Sequence, residues 1–245
     1  LIQSKFRNND SNFENKETYK TKFTSAYTTA LKQNDFKKAN ELLLSAFQIM
    51  YISGNYDSYY VALLYDYLKK HETKIAIDDQ LTLYNHIGGY ETYNGDYQKC
   101  IATLQKATLL DAYNYQSYSE KGNIYYYISY SYFNLGDVDN ALKENENAIA
   151  CFNKTDNYTG KALVTHHKAT LSFDSGNEVE GINAIDKTIK IYKKINDIDG
   201  LVSASINKYE FIDDNPQKAY PLLDTISNLI NSGKVKSDFN IGKSR

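Results

Sequence analysis

The sequence predicts an all-α protein made of repeated pairs of antiparallel helices. Apolar residues recur at helical spacing along most of the chain, and strand-type alternation is not sustained in any segment. Only 2 of the 245 residues are proline, which suits long helices because proline removes a backbone donor. With 42% hydrophobic residues, including 24 tyrosines and 10 phenylalanines, the chain has enough apolar surface to fold.

The first helix pair follows a polar segment, residues 1–15, that is rich in Asn and Ser. We expect the first helix to begin near Asn15 or Lys16 and the turn to fall at Asn34-Asp35-Phe36. The apolar stripes of the two helices are Phe23, Tyr27 and Ala30, then Ala39, Leu43 and Ala46.

A further helix without a partner is predicted near residues 56–70. The distance from Ala39 to Cys100 is 61 residues, which is too long for one repeat of the spacing seen later, so an additional element must fit between them. Its apolar residues have helical spacing and are Tyr60, Leu63, Leu64, Tyr67 and Leu68. Residues 69–79 are then expected to form a loop.

The clearest helix–turn–helix unit extends from residue 84 to residue 107, with its turn at Gly95-Asp96-Tyr97. Small and large residues alternate on the inward faces of both helices, which lets two antiparallel helices approach closely. These residues are Tyr84, Ile87 and Gly88 on the first helix and Cys100, Leu104 and Ala107 on the second.

Later units repeat this arrangement. The small residues at equivalent positions are Cys100, Ala141, Gly181 and Ala219, which are spaced by 41, 40 and 38 residues. At another position of the third unit Asn145 replaces the expected large apolar residue, so we expect a weaker contact there. Regular spacing of this kind is typical of a repeat array, in which each unit packs mainly on its neighbours.

The unit at residues 84–107 and its copies resemble the tetratricopeptide repeat (TPR) family, whose usual repeat is about 34 residues long. The longer spacing here is similar to that of family members in bacterial signalling regulators and scaffolds, with a helix start that residues 156–162 and 199–204 approximate. The resemblance implies a right-handed α-solenoid, a TPR-like superhelix, over residues 16–232, with about five helix pairs plus the extra helix. Residues 233–245 are interpreted as a polar tail or linker.

The charge balance provides no broad cationic surface. Lys and Arg total 28 and Asp and Glu total 30, giving a formal net charge of -2, so direct nucleic-acid binding is not expected. No apolar run is long enough for membrane insertion. The two cysteines, Cys100 and Cys151, suit buried helix positions rather than a disulfide. The compartment, cytoplasmic or bacterial periplasmic, stays open.

No catalytic residue, metal site or cofactor is expected, and the chain is interpreted as noncatalytic. Gly88-Gly89 lacks the Lys-Ser/Thr that follows a phosphate-binding loop. His166 and His167 are adjacent, so on a helix they point about 100° apart and do not suit joint ligation of one metal. The acidic pairs Asp78-Asp79 and Asp213-Asp214 are explained by helix ends.

The resemblance implies that the first helix of each pair lines a concave groove. The candidate ligand contacts in this groove are Asn85, Tyr93, Tyr126, Tyr130, Phe133, His166, Thr170, Phe173, Lys208 and Phe211. Tyrosine combines a rigid ring with a hydroxyl, which suits recognition of a peptide or a partner helix. Core packing is the alternative role for these tyrosines, and it is favoured for Tyr125 and Tyr132.

The expected function is noncatalytic binding of a protein or peptide in this groove. The resemblance also suggests the sensor or interaction segment of a bacterial signalling or transcription regulator. Two alternatives stay open: a structural assembly adaptor that works through homo-oligomerisation, and a binder of small molecules or glycans in the tyrosine-lined trough.

Overall fold

The computed structural model describes residues 14–53, 58–212, 215–233 and 235, and these contain eleven α-helices, one 3₁₀ helix and no strand. The α-helices are α1 Glu14–Lys32, α2 Phe36–Ser53, α3 Ser58–His71, α4 Ile77–Tyr93, α5 Tyr97–Thr108, α6 Tyr115–Asn134, α7 Val138–Asn153, α8 Tyr158–Asp174, α9 Glu178–Ile195, α10 Ile198–Ile212 and α11 Pro216–Asn231. Residues 1–13, Tyr56, the pair Asp213-Asp214 and residues 236–245, all of which figured in the sequence expectations, lie outside the described residues.

Ten of these helices form consecutive pairs, α1/α2, α4/α5, α6/α7, α8/α9 and α10/α11. Each pair packs on the next, so the chain forms a right-handed α-solenoid. Helix α3 lies between the first pair and α4 and contacts α2 and α4. Among the described residues, buried apolar side chains form successive clusters along the array rather than one central core.

The turns inside the first four pairs share one backbone geometry. Each contains a residue with positive φ, namely Asn34 at 55°, Gly95 at 76°, Gly136 at 81° and Gly176 at 80°. Asparagine and glycine tolerate this left-handed conformation best. In three of the four turns the following Asp or Asn caps the next helix with a side-chain oxygen, as in Asp35 accepting from the Lys38 N–H at 2.9 Å.

Small residues permit close approach within each pair. Cys100 and Ala141 are fully buried, and Ala219 is nearly so. On the facing helix, a Cβ atom added to Gly88 would lie only 2.7 Å from Leu104 Cδ1, which is closer than carbon atoms can pack. The spacing of small residues in the sequence therefore reflects a steric requirement of the helix pair.

Asn145 places a polar contact where the other units have a large apolar residue. Its side chain is completely buried, and Nδ2 donates to the Val164 backbone oxygen at 3.0 Å. Val164 is on α8, the first helix of the next pair. The side chain therefore links two pairs through a buried hydrogen bond, and the weaker contact expected from the sequence stays a prediction.

The segment from residue 69 to residue 79 is mostly helical, and the predicted loop is wrong. Helix α3 continues to His71, a 3₁₀ turn spans Glu72–Lys74, and α4 already begins at Ile77. The Gln80 Nε2 donates to the backbone oxygens of Glu72 and Ile75 at 2.9 Å each. These bonds satisfy carbonyl groups that a short helix end leaves open, so only a brief connection is needed.

Aromatic rings attach α3 to the first helix pair. Tyr60 meets the Phe23 ring edge-on at 4.9 Å between centroids, and Tyr67 lies 6.1 Å from Tyr27. The Tyr67 hydroxyl also donates to the Phe36 backbone oxygen at 2.8 Å. Edge-to-face ring pairs of this kind add to the stabilisation from buried area.

Candidate functional site

One open cleft lies where the first helices α4 and α6 meet, with one residue from α2 at its edge. Its volume is about 580 Å³. The lining residues are Gln48, Asn85, His86, Gly89, Thr92, Tyr93, Tyr126, Tyr127 and Tyr130. Most of this lining comes from two successive first helices, so the shape of the cleft depends on how α4 and α6 are held together.

A buried amide–carboxyl contact fixes α4 against α6 beneath the cleft. The Asn85 Nδ2 on α4 donates to Glu120 Oε2 on α6 at 2.5 Å, and Gln116 Nε2 donates to the other carboxyl oxygen at 2.7 Å. Burial raises the pKa of the Glu120 carboxyl above its ordinary value, and these donors act in the opposite direction. The bonds hold Asn85 in one orientation at the cleft.

The missing side chain of Gly89 deepens the cleft. A Cβ atom at this position would lie 3.2 Å from the Tyr127 hydroxyl oxygen, so even alanine would crowd that ring. Tyr93, one helical turn further along α4, is 66% exposed. The backbone at Gly89 therefore forms the floor of the cleft, and the accessible Tyr93 ring lies at its rim.

The aromatic wall of the cleft is supported by His167 on α8. Its ring centroid lies 5.5 Å from Tyr126, 6.0 Å from Tyr130 and 5.7 Å from Phe133. His167 Nε2 is 3.1 Å from Ser129 Oγ. Burial lowers the pKa of His167 to about 4, so the imidazole is neutral at neutral pH and serves as a packing element.

The chain resembles known proteins in structure rather than in sequence. No protein-family model and no curated protein matches it. The crystal structure of BtubC (BKLC) from P. vanneervenii superposes with a TM-score of 0.73 at 14% identity, covering 89% of this chain and 91% of that one. Two crystal structures of nearly identical TPR-like repeats from a candidate kinesin light chain of Podosopora anserina, one of them a substituted form, give TM-scores of 0.60 and 0.59 at 14% identity. They cover 78% and 79% of this chain and 94% and 96% of theirs.

This chain has a TPR-like helical-repeat fold. The all-α, right-handed solenoid expected from the sequence is thereby confirmed, together with the resemblance to TPR proteins. At 14% identity the comparison concerns the fold alone. What the TPR-like solenoid does has to be argued from its own surfaces.

Four of the ten predicted groove residues line the same cleft of the TPR-like solenoid: Asn85, Tyr93, Tyr126 and Tyr130. Tyr126 is largely buried, and burial raises its pKa well above the ordinary value. Tyr126 therefore belongs partly to the packing between first helices, whereas Tyr93 is the most accessible of the four. Phe133 lies beyond the cleft, in contact with His167.

The remaining predicted residues lie elsewhere along the TPR-like array. His166 packs near Tyr192, its Nε2 accepts a 2.8 Å hydrogen bond from Asn207 Nδ2, and burial lowers its pKa to about 4. Phe173 stacks on Phe211 with centroids 3.5 Å apart, which joins α8 to α10.

Two further predicted residues also lie away from the cleft. Lys208 turns toward α9, where its Nζ is 2.6 Å from Asp186 Oδ1. Thr170 is partly buried on α8. Neither residue contributes to the cleft between α4 and α6.

His167 is a residue behind the cleft that sequence reasoning did not select. The spacing from Ala141 to Gly181 is 40 residues, and adding 40 to Tyr126 gives His166. His167 is the next residue along α8 and lies buried against the aromatic wall. Nothing in the repeat spacing indicates this contact.

The described residues show neither a typical metal site nor an activated thiol. No cluster of three or more His, Cys, Asp or Glu side chains suited to a metal occurs among them. Both cysteines are buried and unpaired, and burial raises the pKa of the Cys100 thiol to about 12, which opposes thiolate formation. Within the described part of the chain, no helix is long and apolar enough to cross a membrane.

Proposed function

We propose that this TPR-like solenoid is a noncatalytic scaffold that binds a peptide, or an extended segment of a partner protein, in the cleft between α4 and α6. A TPR-like repeat fold favours protein interaction in general. The observation that carries the specific proposal is that Asn85, Tyr93, Tyr126 and Tyr130, from two successive first helices, line one open cleft. Rigid rings beside an amide are suited to peptide recognition.

The lining favours an uncharged segment with apolar or aromatic side chains. Among the described residues that form it there is no Lys, Arg, Asp or Glu, and burial lowers the pKa of His86 to about 4, so that imidazole is neutral as well. An acidic peptide terminus would find no cation in this lining to offset its desolvation. The aromatic rings instead favour contact with apolar side chains, and the fixed Asn85 amide favours a hydrogen bond to the peptide backbone.

A finer proposal follows from the resemblance to long-period TPR proteins. The chain would be the interaction or sensor segment of a bacterial signalling or transcription regulator, whose occupied cleft changes the pitch of the solenoid. Small-angle scattering with and without a bound peptide measures this directly. An unchanged radius of gyration at saturation would contradict a sensor role while leaving peptide binding intact.

The binding proposal can be tested with short random peptides displayed on phage and selected on the parent protein. Peptides that bind should be re-measured as synthetic peptides by fluorescence anisotropy against Tyr93→Ala and Tyr130→Ala. Because central aromatic side chains commonly dominate binding energy, each substitution should weaken binding at least about tenfold. Tyr126 is avoided because it is largely buried between first helices, and Phe133 because it does not line the cleft.

The controls are exposed tyrosines outside the cleft, matched in exposure to Tyr93, which is 66% exposed. Tyr115 is 53% exposed and Tyr220 is 64% exposed, so Tyr115→Ala and Tyr220→Ala remove the same side chain from other surfaces. Peptides that bind all four variants as well as the parent would contradict the cleft as the binding site. Circular dichroism of each variant checks that the helices are retained.

A further inference from the structure

The contacts between the second helix of one pair and the first helix of the next pair, here called a joint, follow a repeated scheme. At the α7/α8 joint the Phe152 ring fills the space over Gly160, where an added Cβ atom would lie 2.2 Å from the ring. Nearby, Lys168 Nζ is 2.6 Å from Glu146 Oε1. The joint thus combines a steric fit at one end with an ion pair at the other.

The α9/α10 joint repeats these contacts one repeat later, each residue offset by 40 positions. Tyr192 covers Gly200, where an added Cβ atom would lie 2.3 Å from the ring. Lys208 Nζ is 2.6 Å from Asp186 Oδ1. The first helix of the incoming pair therefore presents glycine, then valine or alanine, then lysine at steps of four residues, which places all three on one face.

Helix α11 repeats the apolar and acidic positions of this scheme, with Ile230 in place of the aromatic ring, and no helix is seated on this face among the described residues. Leu223 follows Ile185 by 38 positions, the spacing from Gly181 to Ala219. Ile185 is fully buried, whereas Leu223 is 39% exposed. At the next position Asp224 matches Asp186. It is exposed, and within the described residues it makes no hydrogen bond or ion pair.

We propose that this face of α11 docks a helix of a partner protein that carries glycine or alanine, a small apolar residue four positions later and lysine four positions after that. Leu223 supplies the apolar contact that Ile185 makes at the preceding joint. Asp224 supplies the carboxylate for the lysine, so the surface selects a helix by shape and by charge. This site is separate from the cleft and does not depend on it.

The probe is a fluorescent synthetic peptide with the sequence of residues 196–212, which contains α10 and its Gly200, Ala204 and Lys208. It should bind the full chain, and Asp224→Lys should weaken binding about tenfold because an attraction becomes a repulsion. A peptide with Lys208→Glu should bind the parent equally poorly. Combining this peptide with the Asp224→Lys protein should restore binding.

The control is Asp111→Lys, which makes the same charge change at an exposed acid between α5 and α6. It should leave peptide binding within about twofold of the parent. Because the two variants have the same net charge, any general effect of net charge on association would appear in both. Equal weakening by Asp111→Lys and Asp224→Lys, or a failure of the reversed pair to recover, overturns the proposal. Absence of binding to the parent and to all variants also overturns it.

Two other occupants give distinguishable results. If a second copy covers α11, sedimentation velocity will show a concentration-dependent dimer of the parent that Asp224→Lys abolishes. If the chain's own last residues cover it, the full-length double variant Phe239→Ser, Ile241→Ser will bind the peptide and the parent will not. Either result overturns docking of a partner helix at this face.

Discussion

The joints in the second half of the chain and the junction of α3 with α4 bring neighbouring helices together by different means. At the α7/α8 joint, an aromatic ring lies over a glycine that no larger residue can replace without movement. At the α3/α4 junction the Tyr65 hydroxyl donates to the Glu91 carboxyl, which is completely buried. Lys99 lies 3.4 Å from that carboxyl and 4.4 Å above the Tyr65 ring.

The two kinds of contact depend on different properties of the side chains involved. The α7/α8 joint depends on the small volume of Gly160, because a ring packed directly against the backbone leaves no space for an added side chain. The α3/α4 junction depends on polar partners, because burial raises the pKa of the Glu91 carboxyl and nearby donors offset that cost. We therefore expect the first to fail when atoms are added and the second to fail when a donor is removed.

The largest effect is expected from Gly160→Val at the α7/α8 joint. The new side chain would have to enter the space of the Phe152 ring, so the free energy of unfolding should fall by about 3 kcal/mol or more. Urea denaturation followed by circular dichroism measures this change. In a Phe152→Ala background the same substitution should cost less, because the ring that it meets is gone.

The matched control introduces valine one position earlier. Thr159 is exposed on the same turn of α8, and Thr159→Val should change the free energy of unfolding by no more than about 0.5 kcal/mol. A Gly160→Val protein as stable as Thr159→Val would show that the joint relaxes freely, and the steric half of the comparison would be lost.

A smaller effect is expected from Tyr65→Phe at the α3/α4 junction. The ring and its contact with Lys99 remain, whereas the buried Glu91 carboxyl loses one donor. The expected loss is about 2 kcal/mol, the usual contribution of a hydrogen bond to a charged group; Thr103 and Lys99 still contact the carboxyl. Tyr115→Phe, which removes a hydroxyl from a 53% exposed ring, should cost almost nothing. Equal costs for the two variants would contradict a polar junction.

The recurrence of contacts explains how much the sequence could reveal. Small residues at Cys100, Ala141, Gly181 and Ala219 repeat, so periodicity was sufficient to predict the paired helices and the TPR-like fold. The partners Tyr65, Glu91 and Lys99 occur once, and nothing in their spacing indicates that they meet.

The candidate site was predictable only in part. Asn85 and Tyr126 belong to adjacent, well-formed units and line one cleft, while their role as ligand contacts stays a prediction. Further along, the spacing of 40 residues leads from Tyr126 to His166, whereas the ring that packs behind the cleft belongs to the adjacent His167. On a helix one residue turns a side chain by about 100°, and periodicity alone does not show which of the two neighbours meets the aromatic wall.

The smallest change in the free energy of unfolding is expected at Asn145, where a steric joint also contains a polar contact. This residue places a polar group in a regular joint: Nδ2 bonds to the Val164 backbone oxygen, while Oδ1 is buried without a partner among the described residues. Leu43, Leu104 and Ile185 occupy the equivalent position and are fully buried. The Asn145→Leu substitution removes the donor and the unsatisfied acceptor together. It should leave the free energy of unfolding within about 1 kcal/mol of the parent, on the stabilising side.

The reciprocal change, Ile185→Asn, introduces at the α9/α10 joint the polar group that Asn145 carries at the α7/α8 joint. It should destabilise by about 3 kcal/mol, because a fully buried apolar side chain is replaced by an amide that loses its hydration. If Asn145→Leu instead costs more than about 2 kcal/mol, the hydrogen bond to Val164 contributes net stability. The α7/α8 joint would then depend on a polar partner, as the α3/α4 junction does. A single joint would combine steric and polar contacts, and the two kinds of contact would not distinguish one region of the chain from another.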